Sequence, residues 1–379
     1  MEALVIGGGI IGVATAGELA RRGARVTLVE ARELGRGATK ASAGMLAPFT
    51  EAEPGTVLSD LCAEGLAVYD EAVARVRRDM ASVPGASGPG HRDFEYARTG
   101  TLEVALDEAS AAHFRASEAA LRARGVDAVW LDAPATMAAA PAVSRAAPGS
   151  LLIPAHGFVA VTPFVDALAT AARVHGVDFV RGARVDRVRR VAAGFEVSTD
   201  LRHHHAEVVI VAGGSWSGQL TIDGEAPLPV HPVRGQLLEL RPRTPLMTRI
   251  VWGPRCYLVP WADGVVLVGA TVEDVGFDER VTVDGVRQLM TAASELVPAL
   301  ADASFVEARV GLRPASSDGL PIVGPAVDVP GLVYATGHYR NGVLLAPLTA
   351  SIVADLVLDG RRHPALDAIG PARFARAVR

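Results

Sequence analysis

The sequence predicts an α/β fold with two domains, one of which is built on a parallel sheet. Three observations support this fold class. A strand, a glycine-rich turn, a helix and a second strand follow one another within residues 2–30. Apolar strands that end in glycine return late in the chain, at residues 207–214 and 332–337. Two stretches with strand and helix patterns of their own interrupt this series.

The first thirty residues carry a nucleotide-binding pattern. Apolar residues 3–6 predict a buried strand, and Gly7, Gly9 and Gly12 form a GxGxxG turn into an amphipathic helix. In this pattern the glycines allow a tight turn, close approach of a pyrophosphate and close helix–strand packing, respectively. Glu30 ends the next strand 18 residues after Gly12, near the position where an acid binds a ribose hydroxyl. We therefore predict a site for an adenine dinucleotide without a 2′-phosphate, with a purely structural glycine turn as the alternative.

Two further stretches of small residues favour backbone that lies against a cofactor. Residues 35–45 are polar and glycine-rich and follow the second strand directly. The apolar run 207–212 leads into Gly213 and Gly214. For residues 35–45 an ordinary surface loop is the alternative.

The predicted domains alternate along the chain. Residues 82–90 are rich in Pro, Gly and Ser and predict a boundary. Thr162 and Pro163 predict the N-cap and first position of a helix in the parallel-sheet domain. We assign residues 1–79, 150–222 and 305–379 to the cofactor domain, and residues 80–149 and 223–304 to the substrate domain.

The composition bounds the class of protein. Half of the residues are hydrophobic and the net charge is −5 without basic runs, which indicates a globular protein and argues against nucleic acid as a partner. Cys62 and Cys256 give neither a disulfide framework nor a metal-binding spacing, so a reducing cytoplasm fits best. The first apolar run is the nucleotide-binding strand itself, so we expect no signal peptide and no membrane partner. For residues 203–205, three histidines, we favour a solvated hairpin turn over a metal site.

Motifs across the chain resemble the glycine-oxidising branch of the D-amino-acid oxidase family of FAD-dependent amine oxidases. They extend from Ile6 to Pro347 and are GGGIIG, ASAGMLAPFTEAEPG, VVIVAGGSWSG, CYLVP…VLVGAT, VGLRPASSDGLPIVG and ATGHYRNGVLLAP. The resemblance implies a glutathione-reductase-like Rossmann FAD-binding domain and a second, mixed-sheet α+β substrate domain.

The resemblance also implies FAD as the cofactor. It is expected to be non-covalent, because residues 315–317 lack the cysteine that attaches the flavin in some relatives. The positions that match the family's cofactor contacts are Gly7, Gly9, Ile10, Ile11, Gly12, Glu30, Ala31, Ala38, Thr39, Ala43, Gly44, Met45, Val185, Gly213, Trp216, His338, Tyr339, Arg340, Asn341, Gly342, Val343 and Leu344.

Three residues match the family's substrate contacts. Arg313 is expected to bind the substrate carboxylate through its planar fork, Tyr257 to add a hydroxyl, and Arg340 to supply a second arginine. Surface or interdomain salt bridges are the alternative roles. No histidine or carboxylate stands out as a catalytic base. Trp261 and Val272 depart from the arginine and methionine usual in the family, so they are expected to affect the size of the pocket.

The implied reaction is oxidative deamination of glycine, or of another small amine or D-amino acid. The products are glyoxylate (a 2-oxo acid), ammonia and hydrogen peroxide, with dioxygen as the acceptor, and the implied pathway is thiamine thiazole biosynthesis. The alternatives are a D-amino-acid or sarcosine oxidase or dehydrogenase with a larger substrate, and a flavin-binding protein without turnover. We also expect a cytoplasmic homo-oligomer.

Overall fold

A six-stranded, mainly parallel sheet forms the first half of the architecture. In this computed structural model, which describes residues 1–83 and 94–375, the first strand lies at the centre and pairs with two parallel neighbours in register at Ile6, Val29 and Val211. Only the edge strand Ile322–Pro325 is antiparallel. In spatial order the strands are Ile322–Pro325, Leu332–Thr336, Val208–Val211, Glu2–Ile6, Arg25–Glu30 and Asp178–Arg181. The aligned carboxyl ends form one edge, where ligands bind in such sheets.

Helices rich in Ala, Val and Leu cover this sheet and form the largest core with it. They are Ile10–Arg21, Val57–Ala67, Tyr69–Ala81, Val161–Val174 and Gly342–Asp359. The last of these is long and apolar enough to cross a membrane, yet most of its first three turns is buried against the rest of the protein. The helix at Val161 begins two residues earlier than Pro163 would place it, and Ala160, not Thr162, is its N-cap. The predicted start was therefore wrong.

A four-stranded sheet packs beside the parallel one. Its strands are His203–Ala206, Gly194–Thr199, Val185–Val191 and Thr221–Ile222. The three histidines lie on its edge strand, with alternating exposure, so the prediction of a hairpin turn was wrong by a few residues. Among the described residues no group of metal-ligating side chains could hold an ion.

The second large sheet has eight strands and mixed direction, because Ile250–Trp252 runs parallel to Thr101–Ala105 while the other pairs are antiparallel. In spatial order its strands are Ser304–Ser316, Val230–Arg241, Val266–Gly269, Tyr257–Pro260, Ile250–Trp252, Thr101–Ala105, Gly149–Ile153 and Val129–Asp132. Helices Ala133–Ala139 and Val283–Leu296 contribute to its own core, and Glu108–Ala123 lies beside strand Gly149–Ile153.

Two strands of this sheet lie across the predicted domain boundaries. Gly149–Ile153 and Ser304–Ser316 pair within the mixed sheet, although the predicted boundaries assign nearly all of both strands to the cofactor domain. The division into domains stays a prediction. The predicted boundary at residues 82–90 lies mostly outside the described residues.

The remaining elements are short. They are the strands Met45–Leu46, Gly157–Val159 and Tyr96–Ala97, the helices Pro48–Glu51, Leu366–Ile369 and Ala372–Ala375, and the 3₁₀ helices Gly214–Gln219 and Pro298–Asp302. The helix Pro48–Glu51 follows the glycine-rich segment 35–45. It matters for the site because Glu51, at its end, lines a cavity whose wall also includes residues of the mixed sheet.

Candidate active site

A cavity of about 710 Å³ lies at the carboxyl edge of the parallel sheet. Most of the residues expected to contact FAD line it. They come from the first turn, the second strand, the glycine-rich segment, the strand Val185–Val191, residues 213–216 and the start of the helix Gly342–Asp359. These residues are Gly7, Gly9, Ile10, Ile11, Glu30, Ala31, Ala38, Thr39, Val185, Gly213, Trp216, His338, Tyr339, Arg340, Gly342 and Val343. The cavity lies where doubly wound sheets bind dinucleotides.

The glycines of the first turn have different roles in the structure. A Cβ on Gly12 would lie 1.9 Å from the Gly7 carbonyl oxygen, so a glycine there is needed for the helix to pack on the strand. Gly9 has an ordinary φ of −71°, and a Cβ on it would meet only the Thr39 hydroxyl, at 3.3 Å. The fold itself does not require glycine at position 9. The open space above it therefore fits a ligand that approaches the backbone closely, as a pyrophosphate does.

Glu30 is held rigidly at the rim of the same cavity. One carboxylate oxygen accepts a hydrogen bond from the Gly8 amide at 2.6 Å, and the other accepts one from the Arg32 amide at 2.7 Å. Carboxylate oxygens can accept further hydrogen bonds. The position and chemistry of Glu30 fit a ribose hydroxyl.

A second cavity, of about 260 Å³, adjoins the first, and the two share Ala38, Ser42, Tyr339 and Arg340. Five residues expected to contact FAD line this smaller cavity instead of the larger one: Ala43, Gly44, Met45, Asn341 and Leu344. Gly12 lines neither cavity and lies behind the first turn. A ligand that extends through the larger cavity would end where the smaller one begins.

The helix Gly342–Asp359 begins between the two cavities. Gly342 and Val343 in its first turn line the larger cavity, and Leu344 lines the smaller one. No acidic side chain lies in this first turn, so its free amides and positive dipole end can stabilise negative charge. Tyr339, just before the helix, has a φ of +48°, an uncommon backbone conformation for a non-glycine residue.

Arg313 lies in the smaller cavity and is held by backbone on one side. Its Nη1 donates a hydrogen bond to the Thr271 carbonyl oxygen at 3.0 Å and a longer one to the Arg234 carbonyl oxygen at 3.4 Å. The guanidinium lies flat on Gly235, where a Cβ would be 2.3 Å from its nitrogens. The remaining N–H groups of this planar fork can bind a carboxylate in the cavity.

Tyr257 and Arg340 line the same cavity as Arg313, so the structure brings the three expected substrate residues together. The Tyr257 ring lies on Gly269, where a Cβ would be 2.3 Å from the hydroxyl oxygen. Desolvation raises the pKa of Tyr257 to about 12, which keeps its hydroxyl protonated and able to donate. Val272 also lines the cavity. Trp261 does not; it lies beside Arg309, in an apolar cluster that also contains the cavity residues Tyr257 and Met45.

Glu51 is a cavity residue that the sequence reasoning missed. Among the described residues that line the smaller cavity it is the one acid. Burial raises the pKa of its carboxyl, and the nearby guanidinium groups of Arg340 and Arg313 oppose that shift. Its presence in the motif ASAGMLAPFTEAEPG was the available signal, but an acid in a polar segment resembles a surface residue.

Two buried polar side chains fix the short helix that carries Glu51. The Phe49 amide donates to Nε2 of His156 at 3.3 Å, and the Thr50 hydroxyl donates to the Glu103 carboxyl. Burial lowers the pKa of His156 to about 3 and raises that of Glu103 to about 7. At pH 7 the His156 imidazole is therefore neutral, and the Glu103 carboxyl is near the midpoint of its titration.

His338 does not supply a catalytic base. Its imidazole is buried, and Nε2 lies 3.0 Å from the Thr349 hydroxyl of the last helix. Burial lowers the pKa of His338 to about 3, so the ring stays neutral and serves to hold the start of that helix.

These features define a dinucleotide-binding protein with a charged substrate pocket at the end of the dinucleotide cavity. The family model described as "FAD dependent oxidoreductase" matches residues 2–356. The chain therefore belongs to the DAO family of FAD-dependent oxidoreductases. FAD is its cofactor, and the residues of the larger cavity fit this extended dinucleotide.

Two relatives narrow the position within the family. The chain is 33% identical to "Glycine oxidase" of Geobacillus kaustophilus (strain HTA426) over 379 residues, which cover 100% of this chain and 97% of the relative. It is 35% identical to "Bifunctional protein ThiO/ThiG" of Synechocystis sp., with 98% of this chain but only 54% of the relative covered. The chain thus spans about half the length of that bifunctional relative.

A solved structure shows the same fold over nearly the whole chain. The crystal structure of glycine oxidase from Geobacillus kaustophilus superposes with a TM-score of 0.90 at 32% identity, covering 98% of each chain. The predicted fold class and family are confirmed.

Proposed function

We propose that this oxidoreductase is a glycine oxidase, which uses non-covalently bound FAD and dioxygen to convert glycine to glyoxylate, ammonia and hydrogen peroxide. The observation that carries the proposal is the convergence of Arg313 and Tyr257 in a small cavity that continues from the dinucleotide cavity. At about 260 Å³ this cavity is smaller than the roughly 300–1,000 Å³ typical of drug-sized ligand sites. The similarity to glycine oxidases over the whole chain supports the same substrate.

The chain's own residues bind and orient the substrate. Arg313 offers a fork of N–H donors to the carboxylate, and Tyr257 offers a hydroxyl to the same group. Fixing the carboxylate at one end of a small cavity orients the α-carbon toward the larger cavity, which is a positioning effect. Gly342 and Val343 line the larger cavity at a helix N-terminus, where their amides would stabilise negative charge on the reduced cofactor.

Bound FAD supplies the oxidising chemistry, since it accepts two electrons from the substrate. Its adenosine half would be held by Glu30, Ala31 and Val185, and its other end by residues 43–45 and 338–344. Cys256 lines the smaller cavity, but burial raises the pKa of its thiol to about 12. A protonated thiol is a poor nucleophile, which supports non-covalent attachment.

The substrate must lose hydride with its amine neutral, and no group in the pocket is assigned to remove the amine proton. Arg313 and Arg340 are cations, Tyr257 is a protonated hydroxyl, and His338 is turned toward Thr349. Glu51 is the acid of the pocket, and we assign its carboxyl to the interaction with the guanidinium groups of Arg340 and Arg313. We propose that glycine enters with its amine already neutral, so kcat/KM rises with pH toward the ionisation of the amine.

The experiment that tests the function is an anaerobic titration of the purified holoenzyme with glycine, sarcosine and D-alanine. Glycine should bleach the FAD absorbance, and admission of air should restore the absorbance and release hydrogen peroxide. Stronger bleaching by sarcosine or D-alanine would favour the alternative with a larger substrate. These two compounds are chosen because Val272, which is expected to affect the size of the pocket, lines the smaller cavity. If none of these amino acids bleaches the FAD absorbance, the result would favour the alternative of a flavin-binding protein without turnover.

The similarity to the ThiO/ThiG protein supports a place in thiamine thiazole biosynthesis. Growth of a deletion strain without thiamine tests this role. The homo-oligomeric state and the cytoplasmic location stay predictions, which light scattering of the pure protein and cell fractionation would test.

A further inference from the structure

Arg234 is a buried cation behind the substrate pocket that the proposed mechanism does not use. It lies on strand Val230–Arg241 and is 4% exposed. Nη2 donates to the Glu273 carboxylate at 2.6 Å, and Nη1 donates to the Asp278 carboxylate at 2.8 Å. Both acids belong to residues 271–282, the segment between the strand Val266–Gly269 and the helix Val283–Leu296, so Arg234 holds this segment at two points.

Further hydrogen bonds join the start of the same segment to the strand of Arg234. The Arg234 and Glu273 backbones exchange two hydrogen bonds, at 2.9 and 3.0 Å. The Thr271 hydroxyl accepts from the Gln236 amide at 2.9 Å and donates to the Glu273 carboxylate at 2.5 Å. Glu273 thus links Arg234 to Thr271 through its side chain.

Thr271 is the connection to the substrate pocket. Its carbonyl oxygen accepts the 3.0 Å hydrogen bond from Nη1 of Arg313, and the Arg234 carbonyl accepts the 3.4 Å one from the same nitrogen. Gly235, between them in space, leaves room for the guanidinium to lie flat. One edge of the Arg313 fork is therefore occupied by backbone whose position depends on the Arg234–Glu273 pair.

We propose that Arg234 is a positioning residue for substrate binding: with Glu273 it fixes the Thr271 carbonyl, and thereby the orientation in which Arg313 presents its free N–H groups to the substrate carboxylate. The inference rests on the proposed function insofar as Arg313 is taken to bind that carboxylate. A buried ion pair contributes little net stability compared with apolar packing, so its consequence is sought in geometry.

Arg309 provides a matched control. It lies on the neighbouring strand Ser304–Ser316 and forms a mostly buried ion pair with Glu239 of the strand that carries Arg234. It lines neither cavity among the described residues. Arg309→Met removes the ion pair between the strands Ser304–Ser316 and Val230–Arg241. It leaves the ion pairs between Arg234 and residues 271–282 in place.

The test compares Arg234→Met, Arg234→Lys and Arg309→Met as holoenzymes. Acetate, which carries only the carboxylate, is titrated by calorimetry, and KM and kcat are measured with glycine. Arg234→Met should weaken acetate binding and raise the KM for glycine roughly tenfold, within the range of couplings inside one hydrogen-bond network. The kcat and FAD content should change little, and Arg234→Lys should recover part of the affinity, because an ammonium can still pair with Glu273.

Unchanged acetate affinity in Arg234→Met would overturn the proposal, as would an equal loss in Arg309→Met, which would indicate a general loss of stability. The acetate titration needs no turnover, so it decides the role of Arg234 even if glycine is not the preferred substrate. Failure of the wild-type protein to oxidise glycine would be seen separately, in the bleaching experiment.

Discussion

The two adjoining cavities recognise their ligands by different means. The larger one is lined by small residues of the first turn and of residues 35–45, and also by charged side chains such as Glu30, Arg36 and Asp200. The smaller one brings three arginines (Arg255, Arg313 and Arg340) and the acid Glu51 together from segments far apart in the sequence. The comparison teaches that this fold surrounds its cofactor with backbone and side chains from many segments, and that a small substrate is left with a few oriented charges. Substitutions of residues that line only one cavity should then leave the function of the other intact.

The largest expected effect is on the substrate side. Arg313→Met keeps most of the length of the side chain but removes the fork, and loss of one partner of a buried charged pair costs on the order of 2–5 kcal/mol. That corresponds to a decrease in kcat/KM for glycine of roughly 30-fold to several thousand-fold. FAD content, read from the absorbance ratio of the pure protein, should stay normal. A near-normal kcat/KM would show that the substrate site is placed wrongly.

The reciprocal change is Gly9→Ala in the larger cavity. Only the Thr39 hydroxyl lies near this Cβ, at 3.3 Å, so the variant should fold after a small shift of that side chain, but the methyl group would occupy the space expected for the pyrophosphate. Overpacking of this kind costs ~1–3 kcal/mol, or roughly 5- to 150-fold in FAD affinity. The affinity is measured by titrating the apoprotein with FAD.

When Gly9→Ala is saturated with FAD, its KM for glycine should match that of the wild-type protein. FAD binding at wild-type affinity would refute the placement of the pyrophosphate over the first turn.

A smaller effect is expected for Glu51→Gln, which sharpens the description of the substrate pocket. The Glu51 carboxylate competes with a bound carboxylate for Arg313 and Arg340, and removing its charge should tighten acetate binding by about 2- to 10-fold, since one pKa unit corresponds to tenfold. Because the pKa of Glu51 is raised, this competition should grow as pH increases above the usual range of a carboxyl group.

Acetate affinity of the wild-type protein should therefore decrease with pH, and that of Glu51→Gln should not. Calorimetry between pH 5 and 9 would measure both profiles. Parallel profiles would mean that Glu51 does not interact with the bound carboxylate.

The last prediction concerns stability and should leave activity nearly unchanged. Burial raises the pKa of Glu103 to about 7 in the folded protein, so above the unfolded pKa the folded state binds a proton that the unfolded state has lost. Stability should then decrease as pH rises through this window and level off above about pH 7. Glu103→Gln should remove this decrease and gain on the order of 3 kcal/mol relative to the wild-type protein at high pH. Urea unfolding at pH 5 and pH 8 tests it; an equal difference at both values would contradict it.

The amino-acid sequence by itself determined the cofactor side of this protein. Gly7, Gly9, Gly12 and Glu30 lie within one strand–helix–strand unit, whose geometry follows from local backbone sterics and hydrophobic periodicity. In the structure Gly7, Gly9 and Glu30 line the larger cavity, and Gly12 lies behind the first turn. Arg313, Tyr257 and Arg340 were assigned by resemblance to a family, and the structure places them in one pocket.

Only the tertiary structure decided which other charges lie in that pocket or directly behind it. Glu51 resembles a surface acid until the Pro48–Glu51 helix is placed against Arg313 and Arg340, and Arg234 resembles an ordinary strand residue until Glu273 and Asp278 are folded over it. Trp261, expected to affect the size of the pocket, does not line it, although it packs in the same apolar cluster as Tyr257 and Met45, which do. These outcomes depend on strand pairing between distant segments, such as Val233 opposite Arg313, and local sequence patterns carry no information about that pairing.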